Sequence, residues 1–302
     1  MIPATLRGPG WRPRSGTLAT DEAWAAVGAR DEWGPLRVVM LFEPPASVGA
    51  VEHPDDALFL RRPSLPRMRS QFEALAATYE AEGVRVVRVP TAPDAPPNVV
   101  FARDLFLATP EGAVVGRLAA AQRAGEERLA TRALAQADVP IRLTVGGADT
   151  FEGADALWVG PGRLLVGLGR RTSEGAARQL EGLGVSVARV TVPAAVQHLL
   201  GAVAFVDADL ALVHPAAGPD LRATLAALGV EALEATDAVE RDEARAMNIV
   251  ALGPRRVVMP TGAPKTRAAL EARAVSVVEV DVSAYLDAAG GPGCVTGVVH
   301  RA

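Results

Sequence analysis

The sequence has very little cysteine: Cys294 is the one cysteine among 302 residues. A disulfide within the chain needs two cysteines and a cysteine-based zinc site needs several, so both are excluded. Long apolar runs are also missing, since none reaches the roughly 18 residues that a membrane-spanning helix needs. The first residues lack the apolar stretch of a signal peptide. We therefore expect a cytoplasmic protein that does not enter a membrane.

The chain also lacks an excess of positive charge. Lys and Arg number 31 against 35 Asp and Glu, which gives a formal net charge of −4. This balance argues against a nucleic-acid partner. The apolar share of 49% and the charged share of 22% are those of an ordinary globular protein. The length allows one large domain or two small ones.

What the sequence does contain is a repeat, with the order strand, tight turn, strand, helix, strand. The clearest copy has predicted strands over residues 156–159, 164–168 and 185–192 and a helix over 173–182. Ser173 is the expected N-cap of that helix. The next clearest copy has predicted strands over residues 249–252, 257–259 and 275–282 and a helix over 265–272.

Three looser copies begin near Leu36, Leu105 and Val203, and residues 294–300 form one more strand that we expect to pair with the first copy. Five ββαβ units predict a five-bladed α/β propeller with pseudo-five-fold symmetry, because a closed ring leaves no sheet edge exposed. We assign residues 36–302 to this single catalytic domain and residues 1–35 to an N-terminal arm. Strand–helix alternation alone favours a doubly wound sheet instead, but such a sheet does not need a hairpin in every unit.

Polar residues fall in the joints between these units. They are Asn98 and Asp104 before the second unit, Glu152 and Asp155 before the third, His198 before the fourth, Arg245 and Asn248 before the fifth, and Cys294 after it. Equivalent joints of a ring meet at one end of its axis. We therefore expect Asp104, Glu152, His198 and Cys294 to share one pocket.

Such a pocket suits a guanidinium, which is planar, always charged and rich in N–H donors. Two carboxylates bind these donors through charge-assisted hydrogen bonds. The thiol of Cys294 then attacks the central carbon, and His198 serves as general acid and base. Neither a metal nor a cofactor is needed. The plainer alternatives stay open at this point: a lone cysteine is often an inert buried residue, and a histidine is often structural.

These residues also resemble a known family, the guanidine-modifying or pentein superfamily, whose fold is a five-fold α/β propeller. It comprises dimethylarginine dimethylaminohydrolases, arginine deiminases and amidinotransferases. The resemblance runs from about Leu36 to the end of the chain, through Cys294 after Gly293, His198 before Leu199, Glu152 with Asp155, and Asp104 in the segment from Asn98. It implies catalytic roles for Cys294, His198 and Glu152, and substrate binding by Asp104, Asn98, Phe101, Asp155, Arg123 and Arg171.

In relatives that act on free amino acids, the arginines that Arg123 and Arg171 match bind the substrate carboxylate, so the expected partner is a small guanidino amino acid. Asn98 and Arg103 follow the deiminase pattern, whereas Leu200 after His198 and the modest length look closer to the methylarginine hydrolases. We rank hydrolysis of methylated arginine to citrulline first, through a covalent thiouronium intermediate. Arginine deimination, amidino transfer and a non-catalytic binding protein are the alternatives. A homodimer is a further expectation left open.

Overall fold

The computed structural model describes residues 2, 4–13 and 24–302. In these residues the strands form five separate three-stranded sheets rather than one doubly wound sheet. The strands are β1 Leu36–Phe42, β2 Arg85–Val89, β3 Phe106–Thr109, β4 Gly112–Val115, β5 Ile141–Thr144, β6 Ala156–Trp158, β7 Arg163–Leu168, β8 Ser186–Thr191, β9 Val203–Asp207, β10 Leu210–Val213, β11 Glu231–Glu234, β12 Val250–Gly253, β13 Arg256–Pro260, β14 Ser276–Val280 and β15 Gly297–Arg301.

Every sheet has the same internal order. Its first strand runs antiparallel to the central strand, and the central strand runs parallel to the third, as in β6, β7 and β8. The sheet of β1 takes its first strand from the other end of the chain, because β15 pairs antiparallel with β1. The predicted pairing of the C-terminal strand with the first copy is therefore confirmed.

Helices fill the connections. The α-helices are α1 Ser47–Ala50, α2 Leu65–Ala81, α3 Ala102–Leu105, α4 Glu126–Gln136, α5 Glu174–Glu181, α6 Leu199–Ala202, α7 Pro219–Ala227, α8 Ala238–Asp242, α9 Pro264–Glu271, α10 Ser283–Asp287 and α11 Pro292–Val295. Helix α5 begins where the sequence predicts, since the Ser173 side chain accepts a hydrogen bond from the Ala176 amide. Such a cap satisfies an amide that has no partner within the helix.

Five clusters of buried apolar side chains form the core, and each contains residues from two different sheets. In the order of the chain they join the β1 sheet to the β3 sheet, the β3 sheet to the β6 sheet, the β6 sheet to the β9 sheet, the β9 sheet to the β12 sheet, and the β12 sheet back to the β1 sheet. Burial of these faces on their neighbours supplies the main driving force for folding.

Part of the predicted arm lies against the sheets. Gly28 forms a bridge with His300, and Glu32 pairs with Arg103 at 3.0 Å in a buried setting. The remainder of that prediction falls partly on residues 1, 3 and 14–23, which lie outside the described residues. No helix of the described part of the chain is long and apolar enough to cross a membrane.

Candidate active site

A short helical turn precedes the first strand in four of the five sheets, and each such turn carries a predicted site residue. They are Asn98 in the 3-10 helix Pro97–Val100 with Asp104 in α3, Glu152 next to the 3-10 helix Gly153–Asp155, His198 at the N-cap of α6, and Cys294 in α11. The equivalent position before β12 is the turn that ends at Asn248, whose amide donates to the Arg245 carbonyl.

His198 and Glu152 form the closest contact of the predicted catalytic residues. His198 Nε2 lies 2.6 Å from Glu152 Oε2, and its Nδ1 lies 3.8 Å from Asp104 Oδ1. The side chains of His198 and Glu152 are both buried. The imidazole is therefore held between two carboxylates that come from different sheets.

Asp104 offers one occupied and one open oxygen. Its Oδ2 accepts a hydrogen bond from Arg123 Nη1 at 2.5 Å. Its Oδ1 is buried and has no hydrogen-bond partner in the described structure. A buried carboxylate oxygen without a partner is costly, so Oδ1 is prepared to accept an N–H group from a ligand.

Arg123 is almost fully buried and is bonded mainly to carboxylates of its own chain. Besides Asp104, it pairs with Glu126 through Nε and Nη2, and its Nη1 lies 3.7 Å from Glu152 Oε2. A further N–H points to the Asn98 carbonyl at 3.4 Å. Most of its donors are thus already engaged. Glu126 was not identified from the sequence; it begins α4, three residues after Arg123, which ends the 3-10 helix Ala121–Arg123.

Asp155 and Arg171 each hold a predicted catalytic residue in place. Asp155 accepts hydrogen bonds from the Thr172 hydroxyl and from the Leu199 amide, each at 2.8 Å, and so fixes the backbone that follows His198. Arg171 donates to Glu152 Oε1 at 3.3 Å, and part of its side chain stays exposed. Asp155 therefore positions the histidine rather than facing the pocket.

Cys294 has a partner that the sequence did not identify as functional. Asn248 Nδ2 lies 2.9 Å from Cys294 Sγ, and Asn248 Oδ1 accepts the Cys294 amide at 3.1 Å. The glycines before the cysteine permit this approach, since a Cβ at Gly291 would lie 2.9 Å from Asn248 Oδ1. The repeat placed Asn248 in an equivalent joint, and that position was the available signal.

Three of the four side chains expected in one pocket, Asp104, His198 and Cys294, line a common space, whereas Glu152 does not. A space of about 320 Å³, including its mouth, is lined by Leu58, Asn98, Phe101, Asp104, Arg123, Gln197, His198, Ala288, Ala289, Gly290 and Cys294. Glu152, Asp155 and Arg171 stand behind this wall. The Asn98 amide donates to the Ala57 carbonyl at 2.6 Å, which ties the residue 44–66 segment to the pocket rim.

Arg103 faces away from this pocket. Its guanidinium bonds both oxygens of Glu32 and reaches the Ala156 carbonyl. The basic residue that follows the deiminase pattern therefore pairs with the N-terminal segment.

Burial and charge act in opposite directions on the titrating groups. Burial alone lowers the pKa of His198, but Asp104, Glu152 and Asp155 together raise it to about 9. Burial raises the pKa of Glu152, yet its bond to His198 and the nearby arginines bring it well below the ordinary value. Burial also raises the pKa of the Cys294 thiol, and Asp104 raises it further. At neutral pH the site therefore holds an imidazolium, a Glu152 carboxylate and a neutral thiol.

Asp104, Glu152 and His198 can present one ligand atom each within 4.8 Å of one another. A divalent cation there would compete with two positive charges, because Arg123 and protonated His198 already bind these carboxylates. The donor set fits a cationic organic group better, since its N–H donors match the open Asp104 oxygen.

The raised thiol pKa gives a direct prediction for alkylation of Cys294, the one cysteine of the chain. Neutral iodoacetamide should react slowly at pH 7 and faster as the pH rises. The cation of chloroacetamidine can bind Asp104. The ratio of its alkylation rate constant to that of iodoacetamide should therefore be more than about tenfold higher on the protein than on free cysteine. Equal ratios on the protein and on free cysteine, measured by mass spectrometry, would show that no cation site adjoins the thiol.

Comparison with known proteins agrees with this geometry. The model of the arginine deiminase family matches residues 88–215. A dimethylarginine dimethylaminohydrolase of Pseudomonas aeruginosa is 27% identical over 247 residues, which cover 78% of this chain and 90% of that protein. An arginine deiminase of Rhodococcus erythropolis is 27% identical over 246 residues, and the match spans 68% of this chain and 60% of the deiminase.

Solved structures show the same fold. A Pseudomonas aeruginosa dimethylarginine dimethylaminohydrolase complexed with citrulline superposes with a TM-score of 0.72 at 23% identity, over 88% of this chain and all of that one (100%). The N-terminal domain of a cyanobacterial arginine dihydrolase gives a TM-score of 0.75 at 19% identity, over 86% of this chain and 96% of that domain.

Together these matches support the resemblance of the chain to the guanidine-modifying, or pentein, superfamily. Within that superfamily it is similar to dimethylarginine dimethylaminohydrolase and also resembles arginine deiminase.

Proposed function

We propose that this protein is a cysteine-dependent hydrolase that breaks a C–N bond of a guanidino group. The observation that carries the proposal is the open, buried Asp104 Oδ1 in the pocket that Cys294 and His198 also line. The relatives that bear the names dimethylaminohydrolase and deiminase support the same class of chemistry.

Binding begins with charge. The carboxylates of Asp104, Glu126 and Glu152 lie around Arg123, and burial raises the pKa of Glu126 to about 7. A guanidinium donates to Asp104 Oδ1, and Glu152 provides negative charge behind it. Phe101 and Asn98 form the pocket wall at this point. The positive charge of the substrate then lowers the pKa of the neighbouring thiol, which loses its proton to solvent.

The reaction then follows in two halves. The Cys294 thiolate forms a C–S bond with the guanidino carbon, and the C–N bond to the leaving amine breaks as that nitrogen takes the His198 proton. A cationic thiouronium remains on the cysteine. Neutral His198 next takes a proton from water, and the resulting hydroxide adds to the carbon. The C–S bond breaks as the new hydroxyl group releases its proton to solvent and becomes the ureido carbonyl. The products are a ureido compound and the regenerated thiolate.

Methylated arginine ranks first as substrate, with citrulline and methylamine or dimethylamine as products. Arginine deimination is the second candidate, because Asn98 and Arg103 follow the deiminase pattern and the deiminase family matches residues 88–215. The carboxylate-binding roles of Arg123 and Arg171 remain predictions.

We also propose that the five sheets close into a propeller within a single domain of residues 36–302, because the five apolar clusters link the sheets in sequence. The cytoplasmic location and the homodimer stay predictions.

The test is citrulline formation from dimethylarginine, monomethylarginine and arginine, with wild-type protein beside Cys294→Ser. We expect citrulline from a methylated substrate and none from the variant. Citrulline from arginine alone would make the protein a deiminase. Failure of all three compounds would contradict hydrolysis of this substrate class and favour amidino transfer or binding without catalysis.

A further inference from the structure

A larger cavity of about 1050 Å³, including its mouth, is also lined by Cys294 and His198. It shares five lining residues with the guanidinium pocket, namely Leu58, Gln197, His198, Ala289 and Cys294. Its remaining wall carries His214, Arg241, Asp242 and Arg245, none of which has a role in the reaction derived above.

Arg241 and His214 contribute little unpaired positive charge to this wall. Arg241 is paired with Asp242, at 2.7 Å between Nη2 and Oδ2, and it also donates to the Ala235 carbonyl. Burial lowers the pKa of His214, and its Nδ1 accepts a hydrogen bond from the Ala216 amide. His214 is therefore neutral at pH 7.

Arg245 differs from both. Its Nε is buried and has no hydrogen-bond partner, and its guanidinium forms no ion pair within 4.0 Å among the described residues. Arginine remains protonated in proteins and prefers bidentate anionic partners such as carboxylates. A half-buried arginine with an open donor is thus a ready anion site.

The backbone ties this cation to the nucleophile. Arg245 has a φ of +54°, a left-handed conformation that is uncommon for arginine. Its carbonyl accepts the Asn248 amide at 2.7 Å, and Asn248 in turn binds Cys294. The turn thus fixes Arg245 and the partner of the thiol together.

We propose that Arg245 binds the carboxylate of the guanidino substrate in this cavity, an inference that rests on the proposed function. Arg123, the arginine implied for that role by resemblance, is already engaged by Asp104 and Glu126. The site then has an acidic side for the guanidinium and a basic side for the carboxylate, with Cys294 between them. A substrate with both charges bridges the two.

The experiment compares binding of arginine with binding of its decarboxylated analogue agmatine. Calorimetry in the Cys294→Ala background measures Kd without turnover. Adding Arg245→Gln should weaken arginine binding about ten- to hundredfold, as expected for a lost charge-assisted hydrogen bond. Agmatine binding should hardly change, and Arg245→Lys should restore part of the arginine affinity. Arg267→Gln, on the exposed face of α9, is the matched control.

The inference fails if Arg245→Gln weakens both ligands equally, if it changes neither, or if neither ligand binds. It also fails if Arg171→Gln alone produces the selective loss for arginine. Turnover is scored separately on protein with Cys294 intact. If both ligands bind with the expected selectivity and no guanidino compound is hydrolysed, the proposed hydrolysis fails while the carboxylate site stands.

Discussion

Replacing Cys294 with serine is expected to lower kcat by about 10⁴-fold or more, as removal of a covalent nucleophile does in other enzymes. A serine hydroxyl is far less acidic than a thiol, and His198 in the same pocket cannot act as its base, because His198 is bonded to Glu152 and protonated at neutral pH. The guanidinium can lower the pKa of a thiol enough to ionise it, but not that of an alcohol. The variant should therefore bind substrate and not convert it.

The measurement is steady-state turnover together with ligand affinity and urea unfolding. Asn248 can donate to a serine oxygen as it does to sulfur, so the unfolding midpoint should stay close to that of the wild type. If the folded Cys294→Ser protein kept a tenth of the wild-type kcat, Cys294 would not be the nucleophile.

Replacing His198 with asparagine should lower kcat by about 10²- to 10⁴-fold, the usual contribution of a general acid or base. The leaving amine would lack its proton donor, and the attacking water would lack its general base. Substrate affinity should change less, since Asp104 Oδ1 remains open.

The wild-type His198 also affects the pH dependence of stability. Its pKa is near 9, against 6.5 when unperturbed, so it adds stability that is fully present below pH 6.5 and lost as the pH rises through about 9. The variant should lack this part of the pH dependence.

The control is His53→Asn, because His53 is exposed and lines neither cavity. It should leave both kcat and the stability profile unchanged. An equal loss of kcat in the two variants, or an unchanged kcat in His198→Asn, would contradict the assignment of His198 as the proton donor.

The repeat could be predicted from sequence because its signals are local. Hairpin turns, apolar alternation and the Ser173 cap mark each unit, and the observed β7 and α5 lie within about two residues of the predicted bounds. The grouping of Asp104, Glu152 and His198 followed from one further assumption, that equivalent joints meet. Their contacts join residues 46 positions apart in the chain, as between Glu152 and His198.

Other contacts could not be predicted because they depend on side-chain direction in the folded chain. Asn248 was placed in a joint, but nothing local showed that its amide would turn toward Cys294. Arg103 follows the deiminase pattern beside Asp104, but nothing local showed that it would pair with Glu32, 71 positions earlier. Arg245 stood in the same predicted joint as Asn248, but nothing local showed that it would line a cavity with its Nε unpartnered.

The most direct test of the central claim is to trap the bond between Cys294 and the guanidino carbon. The protein is mixed with the guanidino compound that gives turnover in the citrulline assay, quenched in acid within milliseconds, digested and analysed by mass spectrometry. We predict an adduct on the Cys294 peptide whose added mass is the substrate minus the leaving amine, and a larger adduct fraction in His198→Asn if water attack slows more than C–S bond formation. Turnover without an adduct in either protein, or an adduct on another residue, would contradict catalysis through Cys294.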